Sequence, residues 1–265
     1  MTTMNDSFFE QIQTCAEYLK IDQYTDDIAA FATDQSFSEE ALGAALSIFE
    51  HIRDRKNEAI VSTLLHLSRL PQKQPKTFAD FDFNCIRGKQ IDELKSLPTL
   101  STLYAHRNIA FIGPQGVGKT HLAMAFGDAC CKKGFKTYFL KASELNQKFD
   151  EAIRYGREGR IVNYLVKPTC LIVDEIGRCV FSKEATRLFF DVIDRRYNKD
   201  GPNTMIFTSN FTPDKWKEFF NEDSSLLCSI DRIFDDAIVF MMRGESYRGK
   251  KLETVALETG IQLKA

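Results

Sequence analysis

A glycine-rich run at residues 113–120 carries the strongest chemical signal in the chain. It reads Gly113-Pro114-Gln115-Gly116-Val117-Gly118-Lys119-Thr120 and matches G-x-x-x-x-G-K-[ST] at every fixed position. Glycines let backbone N–H groups turn toward phosphate oxygens without a Cβ clash, and a following helix N-terminus adds partial positive charge. Lys119 supplies a charge for the phosphates, and the Thr120 hydroxyl supplies a ligand for Mg²⁺. The pattern predicts a nucleotide-binding loop, the Walker A motif, whose contacts extend to His121.

The segments on either side of this loop agree with that interpretation. An apolar run at residues 108–112 precedes the loop, and a helix-like run at residues 121–126 follows it. Strand, loop and helix in this order form the structural context that a phosphate-binding loop requires. The alternative is a plain glycine-rich turn in front of a helix.

Two adjacent carboxylates, Asp174 and Glu175, end the apolar run that begins at Thr169. Mg²⁺ keeps several waters and takes few protein ligands, so Asp174 is predicted to hold it through its water shell. Glu175 is predicted to orient and deprotonate the attacking water. This is the Walker B pattern, and it predicts hydrolysis of the bound nucleotide. The alternative is a buried strand followed by an acidic turn.

Three further polar residues lie at the ends of strand-like runs or shortly before one. Asn210 follows the run at 204–209, where its amide could hold the attacking water or touch the γ-phosphate. Arg232 precedes the last run, and phosphoryl transfer needs positive charge that a neighbouring subunit's arginine can supply. Arg248 follows the last run and could contact phosphate within the same chain. The alternatives are a strand-end turn for Asn210, a solvated turn for Arg248, and for Arg232 a surface salt bridge with Asp231, Asp235 or Asp236.

These residues need a sheet to position them, and the chain supplies one after a helical beginning. Helical periodicity over residues 8–70 predicts that residues 1–70 form a small all-α domain that docks a partner or DNA, with a capping box from Ser36 to Glu39. Residues 71–76 contain two prolines and predict a linker, and residues 77–265 form the second predicted domain. That domain alternates helices with five apolar runs, at 108–112, 136–140, 169–174, 204–209 and 237–241. The predicted fold class is α/β, with a five-stranded parallel sheet covered on both faces and ligands at its carboxyl edge.

The composition limits the remaining possibilities. Of the 265 residues, 43% are hydrophobic and 27% are charged, which is typical of a globular protein. The sequence has neither an apolar run that could cross a bilayer nor a signal peptide, so no membrane partner is predicted. Seven cysteines without zinc-binding spacing predict reduced thiols in a cytoplasm.

The distribution of charge predicts where DNA could bind. The net charge is −2, so there is no overall attraction to nucleic acid. Residues 1–76 hold twelve acidic and seven basic residues, a balance of −5, which leaves +3 for the remainder. Arg154, Arg157 and Arg160 recur every three residues and are predicted to share one helix face that neutralises DNA phosphates. A solvated basic face is the alternative.

Taken together, these motifs resemble an AAA+ ATPase of the IstB type, the helper ATPases of insertion-sequence transposition. The chain also resembles the DnaC/DnaI-type loaders of replicative helicases. The matching segments are Thr77 to Phe83, Gly118 to Ala123, Val173 to Gly177, Thr208 to Asn210, Trp216, Asp231 to Ile233 and Glu245 to Arg248. One departure is Arg178, which stands where IstB proteins usually have tyrosine.

The resemblance implies a role for each candidate residue. Lys119 and Thr120 would bind ATP and Mg²⁺, with Asp174 and Glu175 as the Walker B pair. Asn210 would be sensor 1, Arg232 the arginine finger and Arg248 the sensor 2 residue. Residues 78–83 match the segment that enters the nucleotide pocket.

The resemblance also implies a function. The chain is expected to bind and hydrolyse ATP, to form a homo-oligomer on DNA and to assist a transposase. The alternative with the same chemistry is a loader of a replicative DNA helicase. A third possibility, a nucleotide-gated scaffold with negligible turnover, is disfavoured because Glu175, Asn210 and Arg232 are all present.

Overall fold

The computed structural model describes residues 2–88, 91–220 and 226–247, without the side chains of residues 2–6, 85 and 226–229. Five strands form one parallel sheet in the order β2-β3-β4-β1-β5. Their bounds are β1 Ile109–Ile112, β2 Thr137–Lys141, β3 Cys170–Ile176, β4 Thr204–Ser209 and β5 Ile238–Met241. The predicted α/β class and its five-stranded parallel sheet are confirmed.

Ten α-helices accompany the sheet in the described residues. Three precede it, namely α1 Thr2–Leu19, α2 Ile28–Asp34 and α3 Glu39–Leu67. Two short helices, α4 Ile91–Ser96 and α5 Ser101–Tyr104, lie just before β1. The remaining five are α6 Lys119–Lys132, α7 Ala142–Arg154, α8 Glu158–Val166, α9 Lys183–Tyr197 and α10 Leu226–Phe234. None of the helices in the described part of the chain combines the length and apolarity that crossing a membrane requires.

Apolar side chains cover the sheet on both faces. One buried cluster joins the sheet to α7, α8 and α9, and includes Phe149, Leu165 and Phe189. The other joins it to α6 and to residues before β1, and includes Phe126 and Ile172. Parallel strands buried on both faces read as continuous apolar runs, which is why the sequence revealed them.

The end of α3 packs into the second of these clusters. Leu64 and Leu70 are buried in it, and the backbone N–H of Phe139 in β2 donates to the carbonyl of Ser68 at 2.8 Å. Helix α3 is therefore fixed to the edge of the sheet through its last turn. The domain boundary after residue 70 stays a prediction.

The start of α3 lies two residues from its predicted cap. Ser38, not Ser36, is the N-cap residue, and its hydroxyl accepts a hydrogen bond from the Ala41 N–H at 3.3 Å. Ser36 has a left-handed φ of 53°, and the N–H of Phe37 reaches back to the carbonyl of Ala32. This is the 6→1 closure that ends helices, so Ser36 terminates α2. The predicted capping box at Ser36 is wrong because a helix end occupies it.

The predicted arginine face is also wrong as a single helix face. Arg154 is the last residue of α7, Arg157 precedes α8, and Arg160 lies within α8. Between them Gly156 adopts a φ of 62°, and the N–H of Arg157 closes onto the carbonyl of Ala152 at 2.8 Å. The glycine ends one helix in a left-handed turn. The three arginines are exposed around a helix–turn–helix corner instead.

Candidate nucleotide-binding site

A cleft of about 920 Å³ lies at the carboxyl edge of the sheet. Three neighbouring strands, β3, β4 and β1, supply most of it through the segments that follow them. Its lining includes Gln115, Gly116, Gly118, Lys119, Thr120, His121, Glu175, Arg178, Thr208, Asn210 and Tyr247. The structure therefore brings both Walker motifs and the residue proposed as sensor 1 to one place, where ligands of parallel sheets bind.

At two positions of the loop, segments distant in the sequence pack so closely that only glycine fits. Gly118 has a φ of 97°, and a Cβ there would lie 2.8 Å from the ring of Phe81. Gly116 has a φ of 79°, and a Cβ there would lie 1.9 Å from Ser246 Oγ. The backbone N–H of Tyr247 also donates to the Gly116 carbonyl at 2.9 Å. The loop is thus held between residues 77–83 on one side and residues 246–247 on the other.

His121 connects the first of those segments to the start of α6. Its Nε2 lies 2.8 Å from the carbonyl oxygen of Thr77, which requires that this nitrogen carries the proton. Its ring meets the ring of Phe81 edge-on, with centroids 5.3 Å apart. His121 therefore positions the loop through residues 77–83 as well as lining the cleft.

Lys119 and Asn210 meet in the cleft although 91 positions separate them. Lys119 is buried, and its Nζ donates to the carbonyl oxygens of Gly113 and Pro114 at 2.7 and 2.6 Å. The same Nζ donates to Asn210 Oδ1 at 2.8 Å. The ammonium group is thus fixed at the mouth of the glycine loop by oxygens of the loop and of the residue after β4. This places positive charge where the loop amides receive phosphate.

Asp174 is the deepest acidic group of the site. It is 2% exposed, and its Oδ1 accepts hydrogen bonds from Thr120 Oγ1 at 2.8 Å and from Thr208 Oγ1 at 2.6 Å. Burial raises the pKa of Asp174, while the two hydroxyl donors act against that rise. A buried carboxylate beside a hydroxyl is an oxygen donor set that suits Mg²⁺, and a cation there would offset the cost of burying the charge. Thr120 and Asp174 therefore fit the predicted metal site.

Glu175 sits beside Asp174 in an unusual backbone conformation. Its φ is 61°, and its N–H donates to Thr208 Oγ1 at 2.9 Å. Arg178 Nη1 donates to its Oε1 at 2.7 Å, and Lys141 Nζ lies 3.4 Å from its Oε2. Left-handed backbone at a residue other than glycine costs free energy and clusters at functional sites. Glu175 is therefore turned into the cleft while two cations hold its carboxylate.

Thr208 is the residue of this site whose role the sequence did not reveal. Its hydroxyl accepts from the N–H of Glu175 and donates to Asp174, so it links the two Walker B residues. The run at residues 204–209 contains three hydroxyl residues, Thr204, Thr208 and Ser209, so the sequence did not single out Thr208. It became informative only once β3 and β4 were paired, with Val173 opposite Phe207.

Substitution of Thr208 by valine is expected to weaken the binding of Mg²⁺, so that ATP binding requires a higher Mg²⁺ concentration. The change keeps the shape of the side chain but removes a donor that lowers the pKa of Asp174, so protons compete better for the carboxylate. Loss of such an outer partner typically costs about 10–100-fold in metal affinity. The measurement is ATP binding against Mg²⁺ concentration at pH 6 and pH 8, with the larger loss expected at pH 6.

A matched control lies on the same strand. Thr204 is fully buried at the start of β4, and its hydroxyl donates to the Arg107 carbonyl at 2.7 Å, away from the cleft. Thr204→Val should cost stability without changing the Mg²⁺ response. An unchanged Mg²⁺ response in Thr208→Val would remove Thr208 from the site.

The two remaining predicted site residues stand apart. Arg232 lies on α10 and forms an ion pair with Asp194 of α9, and it is not among the described residues that line the cleft. This partner differs from the three aspartates considered from the sequence. Arg248 lies outside the described residues, although its neighbour Tyr247 lines the cleft.

Comparison with known proteins places this geometry in context. The family described as IstB-like ATP binding protein matches residues 16–254. A protein named for ATP binding in insertion sequence IS5376 of Geobacillus stearothermophilus is 36% identical over 73% of this chain and 75% of its own. Its counterpart from IS232 of Bacillus thuringiensis subsp. berliner is 32% identical over 91% of this chain and 95% of its own.

A solved structure supplies a likeness of fold. The crystal structure of DnaI aligns with a TM-score of 0.53 and 19% identity, over 69% of this chain and 93% of that chain. At this identity the likeness concerns the fold alone. It agrees with the predicted AAA+ P-loop architecture.

Proposed function

Because the chain belongs to the IstB-like ATP-binding proteins, we propose that it hydrolyses ATP with Mg²⁺, assembles with its own copies on DNA and assists a transposase. The observation that carries the chemical part is that five residues from three distant segments of the chain meet at one cleft. Lys119 contacts Asn210, and Thr208 joins Asp174 to Glu175. A nucleotide-binding protein without turnover does not need a carboxylate beside the metal ligand.

The residues divide the work according to their positions. The loop amides and Lys119 bind the phosphates, and Thr120 with Asp174 would hold Mg²⁺, which supplies positive charge to the phosphate oxygens when bound. Glu175 accepts the proton of the attacking water. Asn210, fixed by Lys119, orients that water or the γ-phosphate. Buried Asp174 serves as a ligand, and more exposed Glu175 serves as the base.

The choice of partner rests on the relatives. The two sequence relatives described above are both named for insertion sequences, whereas the likeness to DnaI is one of fold. Transposition is therefore favoured over helicase loading. The two partners are separated by adding the transposase of the same insertion sequence, or a replicative helicase, to the assay below.

The test of the proposed function is phosphate release by the full chain. Hydrolysis is expected with Mg²⁺, not with EDTA, and is expected to rise with duplex DNA and again with the transposase. The third possibility, a scaffold that binds nucleotide without turnover, predicts ATP binding with no phosphate release under any of these conditions. That result would overturn the enzymatic part of the proposal.

DNA contact is expected at the corner between α7 and α8. Arg154, Arg157 and Arg160 are exposed there, and the Arg157 guanidinium lies 5.8 Å from the centre of the exposed Tyr155 ring. Replacing the three arginines by alanine should weaken binding to all duplex sequences alike. The slope of log affinity against log salt should become less steep by up to about three, because each lost phosphate contact contributes roughly 0.9 to it.

The control for this prediction is a pair on α3. Arg53 and Arg55 are basic residues of the acidic helical region, on α3. Replacing them leaves the end of α3 packed against the sheet, whereas removing the N-terminal helices would destroy that packing. Their replacement by alanine should leave the salt slope nearly unchanged. If the α3 variant loses binding and the corner variant binds normally, the DNA contact lies on the N-terminal helices.

A further inference from the structure

Two ion pairs hold the two groups that the proposed hydrolysis needs most. Arg178 donates to Glu175 at 2.7 Å, and Arg232 donates to Asp194. The holding partners are surface groups, since the Arg178 side chain is 65% exposed and that of Asp194 is 40% exposed. In a single subunit, both the general base and the finger are therefore engaged with a surface charge of opposite sign.

Hydrolysis requires both pairs to change. Glu175 must present its carboxylate to the attacking water, but Arg178 Nη1 occupies its Oε1 at 2.7 Å. Arg232 must leave Asp194 to reach a phosphate in the cleft of an adjoining subunit. Each departure leaves one charge behind, a cation at Arg178 and an anion at Asp194.

The two charges left behind lie on surfaces that a trans-acting finger brings together. Arg178 lines the cleft that receives the finger, and Asp194 is the residue from which the finger departs. Arg178 and Lys141, which is 48% exposed, make the cleft rim positive. Beside Arg232 on the α9–α10 face, Asp194 and Asp235 add negative charge, with Asp235 accepting from Tyr197 at 2.7 Å. Opposite charge on facing surfaces favours and orients association.

We propose that assembly exchanges the partners, so that Arg178 of one subunit pairs with Asp194 of the next. The exchange releases Glu175 and Arg232 together, at the one interface where both are needed. This inference rests on the proposed function, because it takes Glu175 as the base and Arg232 as a finger that acts between subunits. The docking partner of the α9–α10 face is a second copy of this chain, and the contact is head to tail.

The exchange explains how hydrolysis would be coupled to assembly. A subunit outside an assembly keeps its base and its finger engaged, so ATP that it binds is retained. On assembly, the Glu175–Arg178 and Asp194–Arg232 pairs within subunits are replaced by an Arg178–Asp194 pair between subunits. The base Glu175 and the finger Arg232 are then both available to the nucleotide. Arg178 is in this view a positioning residue, since it acts through Glu175.

Charge reversal in separate subunits tests the exchange. Arg178→Glu and Asp194→Arg each place like charges at every interface, and each alone should raise the protein concentration needed for ATP-dependent assembly by on the order of tenfold. In an equal mixture, Glu at 178 can face Arg at 194, and unchanged Arg178 can face unchanged Asp194. The mixture should therefore assemble and hydrolyse ATP better than either variant alone. Sedimentation and phosphate release measure the two effects.

The matched control is the neighbouring pair Arg195–Asp191, which lies on the same helix at similar exposure. Reversal of Arg195 and Asp191 in separate subunits should change assembly little, alone or mixed. A mixture of Arg178→Glu and Asp194→Arg that performs no better than its components would overturn the exchange, as would single variants that assemble like the unchanged chain. ATP binding by each variant shows that it is folded.

Failure of the exchange can be told apart from failure of the proposed function. If the unchanged chain assembles and hydrolyses ATP but the charge-reversal mixture shows no gain, only the exchange is wrong. If the unchanged chain releases no phosphate with DNA and transposase present, the proposed function itself fails.

Discussion

Replacing Glu175 by glutamine is expected to preserve ATP binding and to reduce hydrolysis by about 10²–10⁴-fold, the usual contribution of a general base. The amide has nearly the same shape but cannot accept the proton of the attacking water. Binding should survive because Lys119 and Asp174 keep their contacts with Asn210 and Thr120, none of which involves Glu175. The measurements are the dissociation constant of ATP and the rate of phosphate release.

Two further variants make this result interpretable. Lys119→Ala should lose ATP binding itself, because it removes the ammonium group held at the mouth of the loop. Glu184→Gln changes an exposed glutamate in the first turn of α9 and should affect neither quantity. Normal turnover by Glu175→Gln would exclude Glu175 as the base, and the water would then need another proton acceptor.

The parts of the site that the sequence predicted are those in which chemistry and local structure coincide. The glycine loop must follow a strand and open a helix, and β1 and α6 are separated by residues 113–118 alone. Asp174 and Glu175 had to lie at the sheet edge because the buried strand β3 carries them there. Each of these features depends on residues close by in the sequence, so the sequence alone was enough to predict it.

The parts that the sequence did not predict depend on contacts between distant segments. Thr208 matters because β4 lies beside β3, and Arg178 matters because Glu175 adopts a left-handed φ that turns its carboxylate toward it. Strand order and backbone strain are settled by packing of the whole sheet. Local competition caused the other errors: Ser36 and Ser38 are both good capping residues, and Gly156 ended a helix that the arginine spacing alone would have continued.

The pairing of Arg232 with Asp194 supports the proposal that Arg232 is a finger that acts between subunits. The Arg232 side chain lies against α9 and is not among the described residues that line the cleft of its own chain, so a nucleotide there would not contact it. Removing an arginine finger costs about 10³–10⁵-fold in rate where it has been measured in GTPases. Arg232→Ala is expected to lower the rate strongly while ATP binding in its own cleft stays unchanged. The half-exposed Asp194 left behind should cost little stability.

Mixing Arg232→Ala subunits with Glu175→Gln subunits is expected to restore part of the activity that each has lost. In a head-to-tail assembly each interface takes its base from one subunit and its finger from the next, so about one interface in four of an equal mixture pairs intact groups. Arg195→Ala, which changes an exposed arginine of α9, should assemble and hydrolyse ATP like the unchanged chain and serves as the control. Co-sedimentation must show that the two variants assemble together. If they do and the mixture is no more active than its components, Arg232 acts within its own subunit, and its ion pair with Asp194 is structural.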